Sequence, residues 1–253
     1  MGNAMEKPVV SVIIPAYNCA STIPQAIDSA LMQDVALEVI VINDCSPESL
    51  DAVASKYQDH SQVIFLENET NLGAAGSRNR GVAAARGKYV AFLDADDYWT
   101  VGKLSCQIAA MERIGAVMSC TARELMTPAG ELTGRILPVK ETITYRELLK
   151  HNSISCSSVV IDARVAREFP MHHDDSHEDY IMWLEVLRKY GTALGINEPM
   201  LKYRLSNTGK SGNKLHSARM TFRVYRYMGF GYLKSVACFC SYAFHGVKKY
   251  FFS

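Results

Sequence analysis

Three acidic residues within four positions, Asp94, Asp96 and Asp97, stand directly after the short apolar run Tyr89–Leu93. Carboxylates that close repel one another, and a cation is the usual compensation. In an extended loop, residues two apart point the same way, so Asp94 and Asp96 can converge. Hard oxygen ligands favour Mg2+ or Mn2+, which bind through few carboxylates and complete their shells with substrate phosphates. The same spacing also occurs in solvated acidic turns, so the elements around it must decide. Two further polar clusters follow apolar runs: Pro15-Ala16-Tyr17-Asn18 after Val9–Ile14, and Asn43-Asp44 after Leu37–Ile42. Asn and Asp are also good turn residues, which leaves Asp44 open between a turn and a site.

The apolar runs are β-branched and continuous, the mark of strands buried on both faces. Val63–Leu66 is another. Between them lie helical stretches: one capped by Ser21 or Thr22 with Ile23, Ile27, Ala30 and Leu31 at helical spacing, one opened by Ser46-Pro47 and running to about Tyr57, and Ala-rich Gly73–Ala85. Four strand–helix alternations in about a hundred residues predict an α/β fold with a mostly parallel central sheet flanked by helices. In such a sheet ligands bind beyond the carboxyl ends of the strands, where all three polar clusters fall. The second half is less regular. Lys103–Ile114, Tyr180–Tyr190 and Lys214–Met228 read as helices, Ala116–Ala122 and Thr192–Ile196 as strands, and Thr127–Gly130 as a hairpin turn.

With 253 residues, 48% hydrophobic and 21% charged, the composition is ordinary for a soluble globular protein and excludes disorder. No run of about 18 apolar residues is present, so a spanning helix is not expected. Nor is a secretory signal; Met1-Gly2-Asn3-Ala4 looks like a cloning remnant. Seven scattered cysteines without a C-x-x-C pair fit a reduced cytoplasmic protein better than a disulfide framework or zinc site. The net charge of +1 conceals an asymmetry: after Glu198 come ten Lys and Arg and no acid, so the body is acidic and the tail basic.

Taken together, Val10–Asn18, Val41–Ser46, Asn71–Asn79 and Phe92–Asp97 stand in the order and spacing of family 2 glycosyltransferases, and the first hundred residues resemble that family closely. His177-Glu178-Asp179 resembles its later Glu-Asp motif. The resemblance implies a GT-A fold, a UDP-sugar donor and inverting transfer of a hexosyl or N-acetylhexosaminyl group to an acceptor hydroxyl. It implies that Pro15, Ala16 and Tyr17 surround the base, that Asp44 accepts from the uracil N3–H, and that Arg78 completes the nucleotide site. Asp94 and Ala95 would lie at the ribose and sugar, Asp96 would hold Mn2+ or Mg2+, and Asp179 would be the catalytic base. On residue chemistry alone Asp179 reads first as a helix N-cap, and Trp183 one turn on as core before an acceptor wall. Gly73-x-x-Gly76 is a weak phosphate-loop signal that close helix packing also explains. The dense loop His172–His177 reads as a mobile acceptor-side loop rather than a metal site. The Q-x-x-R-W motif of the large processive synthases is absent. A sugar-phosphate nucleotidyltransferase would want a Gly-rich loop after the first strand, which is not there; a non-catalytic membrane-associated binding protein would not need Asp94, Asp96 and Asp179.

These readings divide the chain into a nucleotide-sugar half (1–105), an acceptor half (106–205) and a basic aromatic helical tail (206–253). From Phe222 to Phe252 the tail holds 11 of the 22 Phe and Tyr residues. Leu215, Ala218, Phe222 and Tyr225 mark one helical face, and Arg219, Arg223 and Arg226 another. Such composition suits an interfacial helix on anionic lipid, at the inner face of the cell membrane and beside a glycan or lipid-linked acceptor. A cover over the acidic body or a homodimer interface is the alternative. Nucleic acid is not an expected partner, because the acidic body opposes it.

Overall fold

The computed structural model describes residues 7–205 and 214–251. Met1–Ala4, Lys210 and Phe252, which entered the reading above, lie outside the described residues. Strand β1 (Val10–Ala16) leads to α1 (Ile23–Leu31), β2 (Leu37–Asn43), α2 (Asp51–Lys56), β3 (Val63–Glu67), α3 (Gly73–Ala84) and β4 (Tyr89–Phe92). β1 pairs in parallel with β2 on one side and β4 on the other, and β2 pairs in parallel with β3. Alternation along β1 divides the core. Ile13 joins Ile40, Ile42 and Phe92 on one face, while Val12 and Ile14 join Val39, Val41 and Leu93 on the other. Helix α3 lies close on the first face because Gly81 has no side chain; a Cβ there would stand 2.5 Å from Ile13.

Beyond β4 come β5 (Tyr98–Trp99), α4 (Lys103–Ile114), β6 (Met118–Met126), β7 (Leu132–Leu137), β8 (Thr142–Thr144), α5 (Tyr145–Lys150), β9 (Val160–Asp162), α6 (Ala163–Glu168), α7 (Glu178–Tyr190) and β10 (Thr192–Arg204). The sheet runs β3-β2-β1-β4-β9-β6-β10-β5, with β7 added to β6 and β8 to β10. Short β9 enters antiparallel between β4 and β6 and joins both halves into one mixed sheet. The parallel character expected of the whole sheet therefore holds for β1–β4 and the β6–β10 pair. The expected boundary at residue 105 falls inside α4.

Helix α2 starts at Asp51, not at Ser46-Pro47. Ser46 is occupied elsewhere: its N–H donates to Asn43 Oδ1 and its Oγ accepts from Asn18 N–H, tying the turn after β2 to the turn after β1. Thr22 flanks α1 without a side-chain bond to the helix.

The tail forms α8 (Lys214–Tyr227) and α9 (Tyr232–Phe251). α8 packs against the body through Met220, Thr221, Val224 and Tyr225, followed by buried Met228 just beyond its end. This buried face is distinct from the apolar stripe read in the sequence: Ala218 and Phe222 are half-buried, Leu215 carries no described side-chain environment, and only Tyr225 belongs to both sets. Lys202 and Arg204, counted with the tail's charge, belong to β10. No helix among the described residues is long and apolar enough to cross a membrane. All seven cysteines are free thiols.

Candidate active site

The carboxyl ends of β1, β2 and β4 open onto one cavity of about 650 Å3. Pro15, Ala16, Tyr17, Asp44, Arg78, Asp94, Ala95 and Asp96 all line it, together with Asn18, Thr22, Ala74 and Arg204. Tyr17, one of the lining residues, is half exposed. Two non-glycine residues at these strand ends, Asn18 (φ 49°) and Cys45 (φ 54°), hold left-handed backbone. Such strain persists where the surroundings over-determine it, commonly at functional sites.

Asp44 is buried at the end of β2. Its Oδ1 accepts from Asn68 Nδ2 at 2.7 Å and from the Leu72 N–H at 2.8 Å. Those bonds fix the carboxylate's direction and leave Oδ2 for a donor in the cavity. Asn68 in turn donates to Ser77 Oγ on α3. Asn68 was not singled out in the sequence, where it is one more polar residue after a strand.

Arg78 is buried and forks between two carboxylates. One amino group donates to Asp94 Oδ1 at 2.6 Å and the other to Glu178 Oε1 at 2.9 Å. It thereby joins the acidic strand end to the start of α7 across the cavity wall. A buried charge is tolerated when paired in this way, and the planar fork suits two carboxylates.

Asp94, Asp96 and Asp97 differ in environment. Burial, then the neighbouring Asp94 charge, pushes the Asp96 carboxyl up to about 6. Burial pushes Asp97 well above the usual carboxylate range. Asp97 turns away from the cavity and accepts from the Arg204 N–H at 2.8 Å. Arg204 Nε donates to the Asp96 carbonyl, and its remaining nitrogens reach Pro128 O and Gln25 Oε1. Arg204 is a cavity-lining residue the sequence reading missed, because its charge was counted with the tail. Its signal was its place, at the end of a strand that returns to the acidic cluster.

Asp179 does not line the cavity described above; it stands in the first turn of α7, one residue beyond the Glu178 that Arg78 holds. It is not the N-cap, which is His177. Its Oδ1 accepts from the Tyr180 N–H at 2.7 Å. Burial, then the Glu178 carboxylate, raises its proton affinity. Of the adjacent acids, Glu178 is committed to an ion pair while Asp179 carries the raised proton affinity a general base needs. Trp183 is fully buried beside Phe92, a core residue.

The loop before α7 is held rather than free. Asp174 accepts from the Ala75 N–H and lies where a side chain on Gly73 would be. Ser176 Oγ donates to the Met220 carbonyl on α8, and Asp175 bonds Arg223 and Tyr227. Gly73 therefore makes room for a protein carboxylate, and Gly76 for Leu72. Among the described residues no group of three His, Cys, Asp or Glu side chains is placed to hold a metal unaided. A cation at Asp96 would need diphosphate oxygens to complete its shell.

Residues 11–166 match the model of glycosyl transferase family 2. The chain belongs to that family. TuaG of Bacillus subtilis (strain 168), named as a teichuronic acid biosynthesis glycosyltransferase, is 36% identical over 248 residues, covering 96% of this chain and 98% of TuaG. The Escherichia coli UDP-Glc:alpha-D-GlcNAc-diphosphoundecaprenol beta-1,3-glucosyltransferase WfaP is 33% identical, covering 97% of this chain and 96% of WfaP. Among solved structures, Staphylococcus aureus TarS with UDP-GlcNAc superposes with a TM-score of 0.71 at 18% identity, over 92% of this chain and 71% of that one. The Pyrobaculum calidifontis mannosyltransferase PcManGT, with GDP-Man and Mn2+, gives 0.70 at 15%, over 98% and 77%. These likenesses establish the GT-A fold, and family membership makes the protein a glycosyltransferase.

Proposed function

We propose that this glycosyltransferase moves a hexosyl or N-acetylhexosaminyl group, with inversion, from UDP to a hydroxyl of a lipid-linked glycan in surface polysaccharide assembly. The observation that carries the reading is the Asp94–Arg78–Glu178 bridge, which fixes the donor cavity against the residue beside Asp179. Pro15, Ala16 and Tyr17 flank the base, Asp44 accepts from the uracil N3–H through its unoccupied oxygen, and Arg78 and Asp94 orient the ribose and sugar beside Ala95. Arg204 stands at the rim with its cation toward the diphosphate. In this reading residues to about 105 serve the donor and 106–205 the acceptor.

Asp179 takes the proton of the acceptor hydroxyl as that oxygen attacks the anomeric carbon. The new C–O bond forms on the face opposite the one that breaks, the bonding pair leaves with the nucleoside diphosphate, and no enzyme–sugar bond is needed. Asp96, partly desolvated and beside the Asp94 carboxylate, suits Mn2+ or Mg2+, which when bound would supply Lewis-acid stabilisation of charge on the diphosphate. UDP is supported by the UDP-GlcNAc bound to TarS and by WfaP's named donor, a divalent metal by the Mn2+ in PcManGT, and a lipid-linked acceptor by WfaP's named acceptor.

A peripheral position at the inner face of the membrane completes the reading. It is supported by the apolar outer face of α9, where Leu233, Val236 and Phe244 are exposed. A panel of UDP- and GDP-sugars with Mn2+ or Mg2+, followed by thermal shift and slow donor hydrolysis, tests the proposal. A UDP-sugar should stabilise the protein and be hydrolysed; response to GDP-sugars alone would overturn the donor assignment.

A further inference from the structure

Helices α8 and α9 enclose an open groove of about 350 Å3, lined by Ala218, Phe222 and Phe239 with Arg219 and Arg223 along it. Phe222 meets Phe239 edge to face with centroids 6.1 Å apart, so the floor is aromatic and preformed. The surface continues onto α9. Ser235, Cys238, Phe239 and Tyr242 are drawn toward the body, yet Leu233, Val236, Ala237, Cys240 and Phe244 lie outward and exposed. A helix apolar on both faces is normally buried all round, so the outer face is built for contact with something apolar.

The groove is also tied to the loop before α7. Arg223 donates to the Asp175 carbonyl and carboxylate, four residues before Asp179. Tyr227, one turn on, stacks on His173 with centroids 3.6 Å apart. A ligand seated there would lie on the element that leads into the helix carrying the base.

We propose that this groove binds the diphosphate and first isoprene units of a polyisoprenyl-diphosphate acceptor. Arg219 takes the phosphates, Arg223 adds its charge while holding Asp175, and Phe222 and Phe239 take the chain. The proposal rests on the reading of the acceptor as lipid-linked and adds where its lipid end sits. Two guanidinium groups suit phosphate oxygens; Asp175, which reaches Arg223 of the groove, is paired with it at 3.0 Å, and residues 214–251 themselves contain no acid. A second copy is a poorer occupant. A two-fold contact centred on this groove is self-complementary and would set these arginines near their own counterparts, cation near cation.

The test uses the full chain and a photoactivatable farnesyl diphosphate. Labelling is expected within 214–251, reduced by Arg219→Gln and by Phe222→Ala, and competed by unlabelled farnesyl diphosphate but not by farnesol. Arg219 is exposed, so its substitution should leave the thermal midpoint in place. With lipid-linked acceptor, Arg219→Gln should raise KM about tenfold relative to a lipid-free sugar diphosphate, the loss of one charge-assisted phosphate bond. Labelling confined to 7–205, equal competition by farnesol, or complete competition by phosphatidylglycerol vesicles would overturn the site; the last would make it a general anionic-lipid surface. Sedimentation showing a dimer that dissociates on Arg219→Gln would overturn it in favour of a second copy. Labelling at the groove by a protein that transfers no sugar to any lipid-linked glycan would uphold the isoprenyl-diphosphate site and sink the acceptor reading instead.

Discussion

At the carboxyl ends of β1, β2 and β4 the chain buries its charges, whereas in α8 and α9 it exposes them and leaves apolar surface uncovered. Arg78 sits between Asp94 and Glu178, Asp97 is held by the Arg204 backbone, and Asp44 is fixed by Asn68 and Leu72. The tail arginines Arg219, Arg223 and Arg226 are exposed, as are Leu233 and Phe244. Paired charges out of water are held at fixed distances, which suits a site that must place a small polar donor. Exposed cations beside exposed apolar side chains are adaptable, which suits an extended, partly apolar partner. The contrast can be broken first at the metal. Asp96→Ala, or prior stripping of divalent metal, should abolish transfer and weaken nucleotide-sugar binding, because diphosphate would then face carboxylates with no cation between. Full activity after stripping would remove the metal from the donor side.

The next largest effect separates the two adjacent acids. Asp179→Asn keeps the shape and removes the base, so turnover should fall roughly 10²–10⁴-fold with donor affinity nearly unchanged. Glu178→Gln instead breaks the buried pair with Arg78, and should lower the thermal midpoint and weaken donor binding together. Normal turnover of Asp179→Asn with a dead but stable Glu178→Gln would move the base by one residue.

What was legible in the sequence follows the same division. Strand ends in a parallel sheet can be read from buried β-branched runs, and the ligand cluster falls at those ends by topology; hence all eight donor-side residues named from the sequence line one cavity. Tertiary pairing is not local, so the Ser46-Pro47 cap signal was misleading: Ser46 serves Asn18 across the cavity mouth. Arg204 was hidden for the same reason. On the tail, periodicity gave the helix and one apolar stripe, but not the second stripe through Met220 and Val224 that meets the body, which only packing against α7 and the loop before it defines. Strand β9 carried no signal of its own, being three residues long and defined by the partners that flank it.

A third prediction tests the tail's half of the comparison. Truncation near Asn213 is a poor probe, because it would uncover the body surface that Met220, Val224 and Tyr225 cover. Leu233→Glu with Phe244→Glu alters exposed positions only. Flotation with anionic vesicles at low salt should fall by roughly tenfold or more, since burying each such side chain is worth about 1.5–3 kcal/mol. Binding by the unaltered chain should also weaken at high ionic strength, each cation contributing about 1 kcal/mol before screening. Equal flotation of the double variant would make the outer face of α9 irrelevant to membranes.

The smallest effect concerns a lysine that departs from the pairing rule of the donor side. Lys103, at the start of α4, is fully buried, its Nζ has no hydrogen-bond partner, and it lies 4.1 Å from the Trp99 ring centroid. Trp99 in turn donates to the Ser157 carbonyl, and Ser157 Oγ accepts from the Asp94 N–H, so the lysine backs the layer behind the acidic cluster. Burial lowers its affinity for a proton to about 7. An unfolded lysine titrates near ~10.4. Between those values the unfolded chain binds more protons than the folded one, so this residue makes stability rise with pH. Below about pH 7 both states carry the proton and the folded state bears the full cost of a buried cation, offset in part by the indole ring. Above about 10.4 both are neutral and the cost vanishes. Lys103→Met should therefore raise the unfolding midpoint at pH 6–7, and its advantage should shrink steadily as pH rises toward 10. A midpoint difference that is flat with pH, or a variant destabilised throughout, would mean that the ammonium is held by the Trp99 face strongly enough to remain charged, and that the donor side has no unpaired charge at Lys103.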